Sequence, residues 1–229
     1  MTLTEVFPHT GERADASTAE GQDWLRRRYQ WPESGLVRLN MITSLTGSAM
    51  ATEGTSNSLS NRTDRAILRT IRAGADVILV GANTLRAEGY VFPHDCPVAV
   101  VTASGNLGDR PLRGGTQRIL ITPAQSPAGH PDARERITLP ALDGIIAATD
   151  ILRALQERGW RRVICEGGPR LASALAAANL IDEYCVTVSP MITPSSGPFL
   201  DLRATVDTER VGTLVDESGF SYLRLRVRR

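Results

Sequence analysis

The chain has 229 residues, is 41% hydrophobic and 22% charged, and carries a net charge of +1. These totals fit a globular protein with one sizeable core and argue against a nucleic-acid or membrane surface. All 26 basic residues are arginine, which excludes a lysine Schiff base, a P-loop lysine and lysine-bound pyridoxal phosphate.

Residues 1 to about 33 read as polar and irregular, an N-terminal extension over 1–34 ahead of a single domain over 35–229. Its arginine cluster, "DWLRRRYQWP", reads as a solvated face or subunit contact. "LVRLNMITSL" from Leu36 alternates and is β-branched enough for a strand. A hydroxyl-rich loop follows from Thr46 to Ser60, mobile enough to close over a ligand. "SNRTDRAILRTIRAGA" predicts a helix with Ser60 or Asn61 as N-cap and Gly74 as its stop. "ADVILVG" is an apolar run of strand length, expected buried on both sheet faces. "NTLRAEG" predicts one or two helical turns, and "PVAVVT" and "QRILIT" are short strands.

"TDILRALQERG" predicts an amphipathic helix capped by Thr149 or Asp150. It feeds the strand "RRVICEGG", an Ala-rich helix over 169–179, and the strand "YCVTVSPMI". Two late strands, around Val206–Val215 and Phe220–Val227, flank the hairpin signal "DESG". The alternation predicts an α/β domain with a mostly parallel central sheet and an antiparallel C-terminal hairpin. No apolar run approaches the roughly 20 residues of a membrane span, and no signal-peptide core opens the chain, so the cytoplasm is the default address. Cys165 and Cys185 read as small buried hydrophobes, and Cys96 makes neither a disulfide framework nor a zinc site with them. His9, His94 and His130 are loop-bound and far apart, so no metal is expected.

Two strand ends carry the chemistry. Ligands in open α/β sheets sit beyond the carboxyl ends of the strands. There, "VICEGGPRLASAL" puts Glu166, Gly167 and Gly168 between a buried strand and a helix opened by Pro169. Free N–H groups and the helix dipole make that turn an anion site, suited to a phosphate or pyrophosphate. The alternative is a plain strand-to-helix turn. Glu166 must either face a ligand or pair with an arginine such as Arg72. "LVGANTLRAEGY" repeats the design with Asn83, Thr84 and Glu88, so a long ligand is expected across both ends.

These stretches, with "SLTG", resemble the reductase domain of riboflavin biosynthesis, whose fold is dihydrofolate-reductase-like and three-layered. "SLTG" matches its S-L-D-G turn, "IRAGADVILVGANTLRAEG" its second motif, and "CEGGPRLASALAAANLIDEYCVTVSPMI" its E-G-G-P-T-L segment. The resemblance spans about Leu36 to Met191. It implies an NADPH-dependent reduction in which hydride reaches C1′ of a ribosylaminopyrimidine. It also implies a small-molecule substrate, no nucleic-acid or membrane partner, and a bacterial homodimer. Ser56, Arg72 and Glu166 would face the substrate, and Thr84 and Glu88 would hold the cofactor. Gly168 through Ala174 would cradle its phosphates, with Gly167, Gly168, Pro169, Arg170 and Leu171 nearest. Thr102 and Ser104 are the candidates for the 2′-phosphate.

Four features depart from that family. Thr46 replaces the usual aspartate of S-L-D-G, and Arg170 stands where threonine is common. "GYVFPHD" replaces a P-x-L-T-x-R segment that helps hold the substrate phosphate. No deaminase signature is present. A dihydrofolate or pterin reductase on the same fold, and a non-catalytic NADPH-binding protein, therefore remain open alternatives, and no proton donor is assigned.

Overall fold

The computed structural model describes residues 1–88, 92–108, 113–126, 130–194 and 197–229. In chain order it runs β1 (Thr2–Phe7), β2 (Arg13–Asp15), α1 (Ala19–Arg28), β3 (Leu36–Thr43), α2 (Arg62–Arg72), β4 (Val77–Gly81) and α3 (Ala82–Glu88). There follow β5 (Val98–Val101), β6 (Arg118–Pro123), β7 (Glu135–Leu139), a small ribbon of β8 (Ala141–Leu142) and β9 (Ile145–Ile146), and α4 (Ala148–Gln156). The chain ends with β10 (Arg162–Cys165), α5 (Pro169–Ala177), β11 (Glu183–Val188), β12 (Thr208–Asp216) and β13 (Ser221–Val227).

One 11-stranded sheet has the order β2-β1-β12-β13-β11-β3-β10-β4-β5-β6-β7. From β11 to β7 every neighbour is parallel, and from β2 to β11 every pairing is antiparallel. β4 shows why the sheet is covered on both faces. Val77 and Leu79 join one core with Ile151, Leu155 and Leu175 of α4 and α5. Ile78 and Val80 join the other core with Leu25, Ile67 and Ile71 of α1 and α2. The side-chain period of two sends alternate residues to opposite faces, so a strand apolar throughout serves two helical layers.

The N-terminal segment departs from its irregular reading. β1 pairs with β12 and β2 with β1, and Leu3, Trp24 and Leu25 are buried. The boundary expected at 34/35 thus falls between α1 and β3, with both sides in one sheet. Arg28 of the arginine cluster binds Glu5 and Glu12 (2.8 and 2.6 Å) and stacks on Trp24. The two late strands form the expected antiparallel hairpin, and β1 and β2 extend the sheet beyond it.

Asn61 caps α2 as expected, its side chain accepting from the Asp64 N–H at 2.8 Å. α4 differs: its cap is Ala147, which has no side-chain hydrogen bond, and Thr149 and Asp150 lie in the first turn. A carboxylate there still complements the helix dipole. All three cysteines are buried free thiols, each pushed by burial up to about 12. They act as apolar filling. Among the described residues no helix is long and apolar enough to cross a membrane.

Candidate active site

A cavity of about 1160 Å³ opens beyond the carboxyl ends of β3, β10 and β4. Its walls are built by elements from both helical layers: α2 and α3 on one side, the start of α5 on the other. The segments 49–60 and 197–201 close its rim.

The two glycine-marked strand ends meet directly. Gly81 donates its N–H to the carbonyl of Gly167 at 2.8 Å. Gly167 has φ +85°, a left-handed conformation that suits glycine, and the Gly167–Gly168 peptide is cis. Gly168 is the N-cap of α5, with no side-chain cap and Pro169 following. The first-turn N–H groups of Arg170 and Leu171 have no intrahelical acceptor. A Cβ on Gly168 would stand 2.5 Å from the Thr84 hydroxyl oxygen. The bare backbone is what lets α3 and α5 approach here.

Glu166 and Arg72 pair with each other at the cavity wall. Arg72 donates from Nε to Oε1 at 2.6 Å and from Nη2 to Oε2 at 2.5 Å. Both still line the cavity. The two alternatives for Glu166 therefore coincide in space: it is an arginine partner, and its pair faces the ligand. Glu88 accepts from the Ser56 N–H at 2.8 Å. Its carboxylate so fastens the rim segment to α3, and the segment is further anchored by fully buried Leu59. The 46–60 loop is thus tied over the cavity rather than loose above it.

Of the proposed cofactor residues, Thr84, Glu88, Gly168, Pro169 and Arg170 line the cavity, and so do the proposed substrate residues Ser56, Arg72 and Glu166. Gly167, Leu171, Thr102 and Ser104 do not. Leu171 turns its side chain into the core, because the face of α5 that packs on the sheet includes it. Thr102 is buried just past β5, and the Ser104 hydroxyl accepts from the Asn106 N–H at 3.3 Å. Arg86 connects that loop to the cavity wall, donating to the Asn106 carbonyl at 2.6 Å and to Asn83.

Thr46 also falls outside the cavity. Its hydroxyl donates to the Thr193 carbonyl at 2.8 Å and meets Ser44 at 2.8 Å. The lost carboxylate of S-L-D-G is replaced by a hydroxyl network between two loops, not by a gap in the site.

Several lining residues were not singled out from the sequence: Asp64, Arg65, Leu68 and Arg69. Arg65, Arg69 and Arg72 share one helix face at i, i+4 and i+7, with Leu68 at i+3 and Asp64 one residue before Arg65 beside it. That phase was the available signal. Asp64 accepts from Thr187 Oγ1 (2.7 Å) and Ser60 Oγ (2.8 Å). Burial pushes its carboxyl above the ordinary value, although both hydroxyls and nearby Arg65 pull the other way. Among the described residues Arg65, Arg69 and Arg170 make no side-chain hydrogen bond or salt bridge, although the Arg65 charge acts on Asp64.

The sequence model of the RibD C-terminal domain matches residues 36–202. The chain belongs to that family. It is 30% identical over 174 residues to the riboflavin biosynthesis protein RibD of Mycobacterium tuberculosis, covering 75% of this chain and 46% of that protein. The chain therefore spans less than half of that relative. It is 26% identical over 199 residues to the 2,5-diamino-6-ribosylamino-4(3H)-pyrimidinone 5′-phosphate reductase of Methanothermobacter thermautotrophicus, covering 79% of this chain and 87% of that one. Among solved structures, a pyrimidine reductase-like protein from Corynebacterium diphtheriae superposes with a TM-score of 0.71 at 23% identity, covering 85% and 92% of the two chains. Dihydrofolate reductase from Enterococcus faecalis superposes at 0.52 with 14% identity, over 86% and 98%. The fold is dihydrofolate-reductase-like, as the sequence motifs imply.

Proposed function

We propose that the protein is an NADPH-dependent reductase of a ribosylaminopyrimidine, acting at C1′ of the sugar. The observation that carries this reading is the shared cavity, where an uncapped α5 N-terminus and the open Arg72–Glu166 pair face one space. A volume of about 1160 Å³ exceeds the roughly 300–1,000 Å³ of a single-ligand pocket. It has room for a cofactor and a substrate together.

The residues fit the cofactor. Gly168, Pro169 and the free N–H groups of Arg170 and Leu171 would hold its pyrophosphate, with the Arg170 guanidinium alongside. Thr84 offers a hydroxyl from the facing wall. Arg86 is the arginine next to the Ser104 loop, and the 2′-phosphate belongs there. When bound, the nicotinamide supplies a hydride.

The remaining work falls to the chain. Reducing a C=N bond needs a proton as well as a hydride, and Asp64 is a cavity carboxyl that burial pushes toward its protonated form. It is the proton source we assign. The Arg72–Glu166 pair presents a fixed polar wall against which a substrate is oriented. Leu45 and Ile192 are exposed at 61% and 81% on adjoining loops, an apolar patch consistent with a homodimer.

The test is NADPH oxidation by the purified protein with a ribosylaminopyrimidine 5′-phosphate, and separately with dihydrofolate. Turnover of the first supports the reading. Turnover of dihydrofolate alone moves the protein to the pterin reductases, and binding without turnover of either makes it a non-catalytic NADPH protein.

A further inference from the structure

The N-terminus of α2 and the C-terminal hairpin meet in one hydrogen-bonded cluster. Asn61, the N-cap, accepts the Asp64 N–H on its side-chain oxygen at 2.8 Å. Its side-chain nitrogen donates to Asp216 Oδ2 at 2.7 Å. The Tyr222 phenol sits 2.7 Å from the same carboxylate oxygen and 3.2 Å from the Asn61 oxygen. The other Asp216 oxygen takes the N–H groups of Ser218 and Phe220 in the β12–β13 turn, at 2.9 and 3.1 Å.

The turn thus occupies only one oxygen of Asp216. The second oxygen decides which way round the Asn61 amide sits. A carboxylate only accepts, so it faces the amide nitrogen and leaves the amide oxygen to α2. With the amide reversed, nitrogen would meet the Asp64 N–H and oxygen would meet the carboxylate, and both bonds would be lost. Asp216 therefore sets the cap, and the cap sets the backbone at Asp64.

The Asp64 side chain departs from an ordinary capping arrangement. At the third helical position an acidic or amide side chain commonly reaches back to the N-cap N–H. Here the Asp64 oxygens take the Thr187 and Ser60 hydroxyls instead, at 2.7 and 2.8 Å, and the residue lines the cavity. Thr187 and Tyr222 are direct cross-strand partners on β11 and β13, so their side chains share a face of the sheet. That face presents one hydroxyl to each of the two acids.

The groups around Asp64 come from several elements. Thr187 stands on β11, Ser60 on the rim segment, Arg65 on its own helix and Asp216 on β12. Burial raises the Asp64 carboxyl most and the Asp216 charge adds to it, while the two hydroxyls and Arg65 pull it down. Burial and Asp216 also push the β13 phenol of Tyr222 up, so it stays a donor. The remaining charged residues of the cavity lining are Arg69, Arg72, Glu88, Glu166, Arg170 and Asp201.

Resting on the assignment of Asp64 as the proton source, we propose that Asp216 is a positioning residue for that acid, acting through Asn61 and Tyr222. It aims Asp64 by fixing the helix cap. Its negative charge also keeps the Asp64 carboxyl protonated to higher pH.

The experiment compares wild type with D216N, N61S and D64N, and with E217Q, an exposed carboxylate of the same turn that pairs with Arg13. Serine is a good N-cap but carries no amide for Asp216. Each protein is assayed across pH with NADPH and a ribosylaminopyrimidine 5′-phosphate, and NADPH Kd and Tm are measured beside the rates. An acid that works protonated loses activity as pH rises, so removing the Asp216 charge should move that limb to lower pH. D64N should lose about 100-fold or more in kcat, and D216N and N61S about tenfold, with NADPH affinity unchanged. E217Q should match wild type. NMR titration of the carboxyl carbons in aspartate-labelled protein should show the signal missing from D64N titrating at lower pH in D216N. An inactive D64N beside D216N and N61S with wild-type rates and pH profiles overturns the proposal and leaves the acid in place, as does a lowered Tm alone. A fully active D64N overturns the proton-source reading and the proposal with it. If wild type turns over nothing, the titration decides, and an Asp64 signal unmoved in D216N overturns the proposal. Should D216N fail to fold, N61S with wild-type kcat overturns it.

Discussion

Two arginine–glutamate clusters lie at opposite ends of the same sheet region, and their difference separates structure from function. Glu183, fully buried in β11, binds Arg38 at 2.8 Å and Arg224 at 2.9 Å. Arg38 spends its other N–H groups on the carbonyls of Tyr29 and Gln30 (3.1 and 3.2 Å), and Arg224 reaches the carbonyl of Arg28. Each nitrogen of both guanidiniums meets a protein acceptor, and Arg38 and Glu183 are fully buried, so the cluster is closed to ligands. Arg72–Glu166 uses the same chemistry at the carboxyl ends of the strands and opens on the cavity. One pair clamps α1 to the sheet; the other leaves a polar surface for a ligand.

The largest expected effect breaks the sealed cluster. Glu183→Gln would leave two guanidiniums buried without an anion, at a cost of roughly 3–5 kcal/mol. At about 2–4 °C per kcal/mol for a chain of this size, the Tm should fall by roughly 6–20 °C. Thermal melts check it; a Tm within a degree or two of wild type (about 1–2 °C) would mean the clamp contributes little.

Gly168→Val acts on the open region. The new side chain meets the Thr84 hydroxyl before it meets any ligand, since even a Cβ would stand 2.5 Å away. NADPH binding should weaken by about 2–4 kcal/mol, together with a smaller loss of Tm. Adding Thr84→Ala should restore part of the stability but not the affinity. Calorimetry beside a melt separates the two, and normal NADPH affinity would remove the cofactor from α5.

Glu166→Gln sharpens the comparison directly. Water and ligand can reach the Arg72 left behind, so the stability cost should be about 1–3 kcal/mol, smaller than at Glu183. Substrate KM should rise while NADPH affinity holds. A lowered Tm with unchanged kinetics would make this pair as purely structural as the sealed one.

Arg86→Gln should narrow the preference for NADPH over NADH by about tenfold, read as a ratio of Kd values. Equal affinities of the two cofactors for wild type would dismiss Arg86 from that role.

The smallest effect is a pH signature of opposite sign at the two regions. Burial pushes the Glu183 carboxyl up, but Arg38 and Arg224 outweigh it and hold it below the ordinary carboxylate range. Its contribution is present above the unfolded pKa and is lost as pH falls through the folded one. Asp64 is pushed up by burial, so its contribution is full below the unfolded pKa and is lost as pH rises through the folded one. Denaturant titrations from about pH 3 to 8 should show Asp64→Asn steepening the gain of stability with pH. The same variant should lose turnover if Asp64 supplies the proton.

By itself the sequence determined the parallel half of the fold and the strand ends at which the cavity opens. β4, β10 and α5 were legible because a strand buried on both faces must be apolar throughout, and because paired glycines before Pro169 mark a turn that only a helix start explains. What only the tertiary structure decided involves partners distant in the chain. β1 and α1 are ordered by β12 and by Glu5–Arg28, contacts that no local periodicity encodes. Thr102 and Leu171 stand at the right strand and helix but turn away from the cavity, since the direction of a side chain depends on which layer covers it. Arg65 and Arg69 look like ordinary surface arginines in sequence, because the cavity they line exists only in the folded wall. Glu166 needed a partner by the physics of buried charge, and the fold chose Arg72 from 94 residues away.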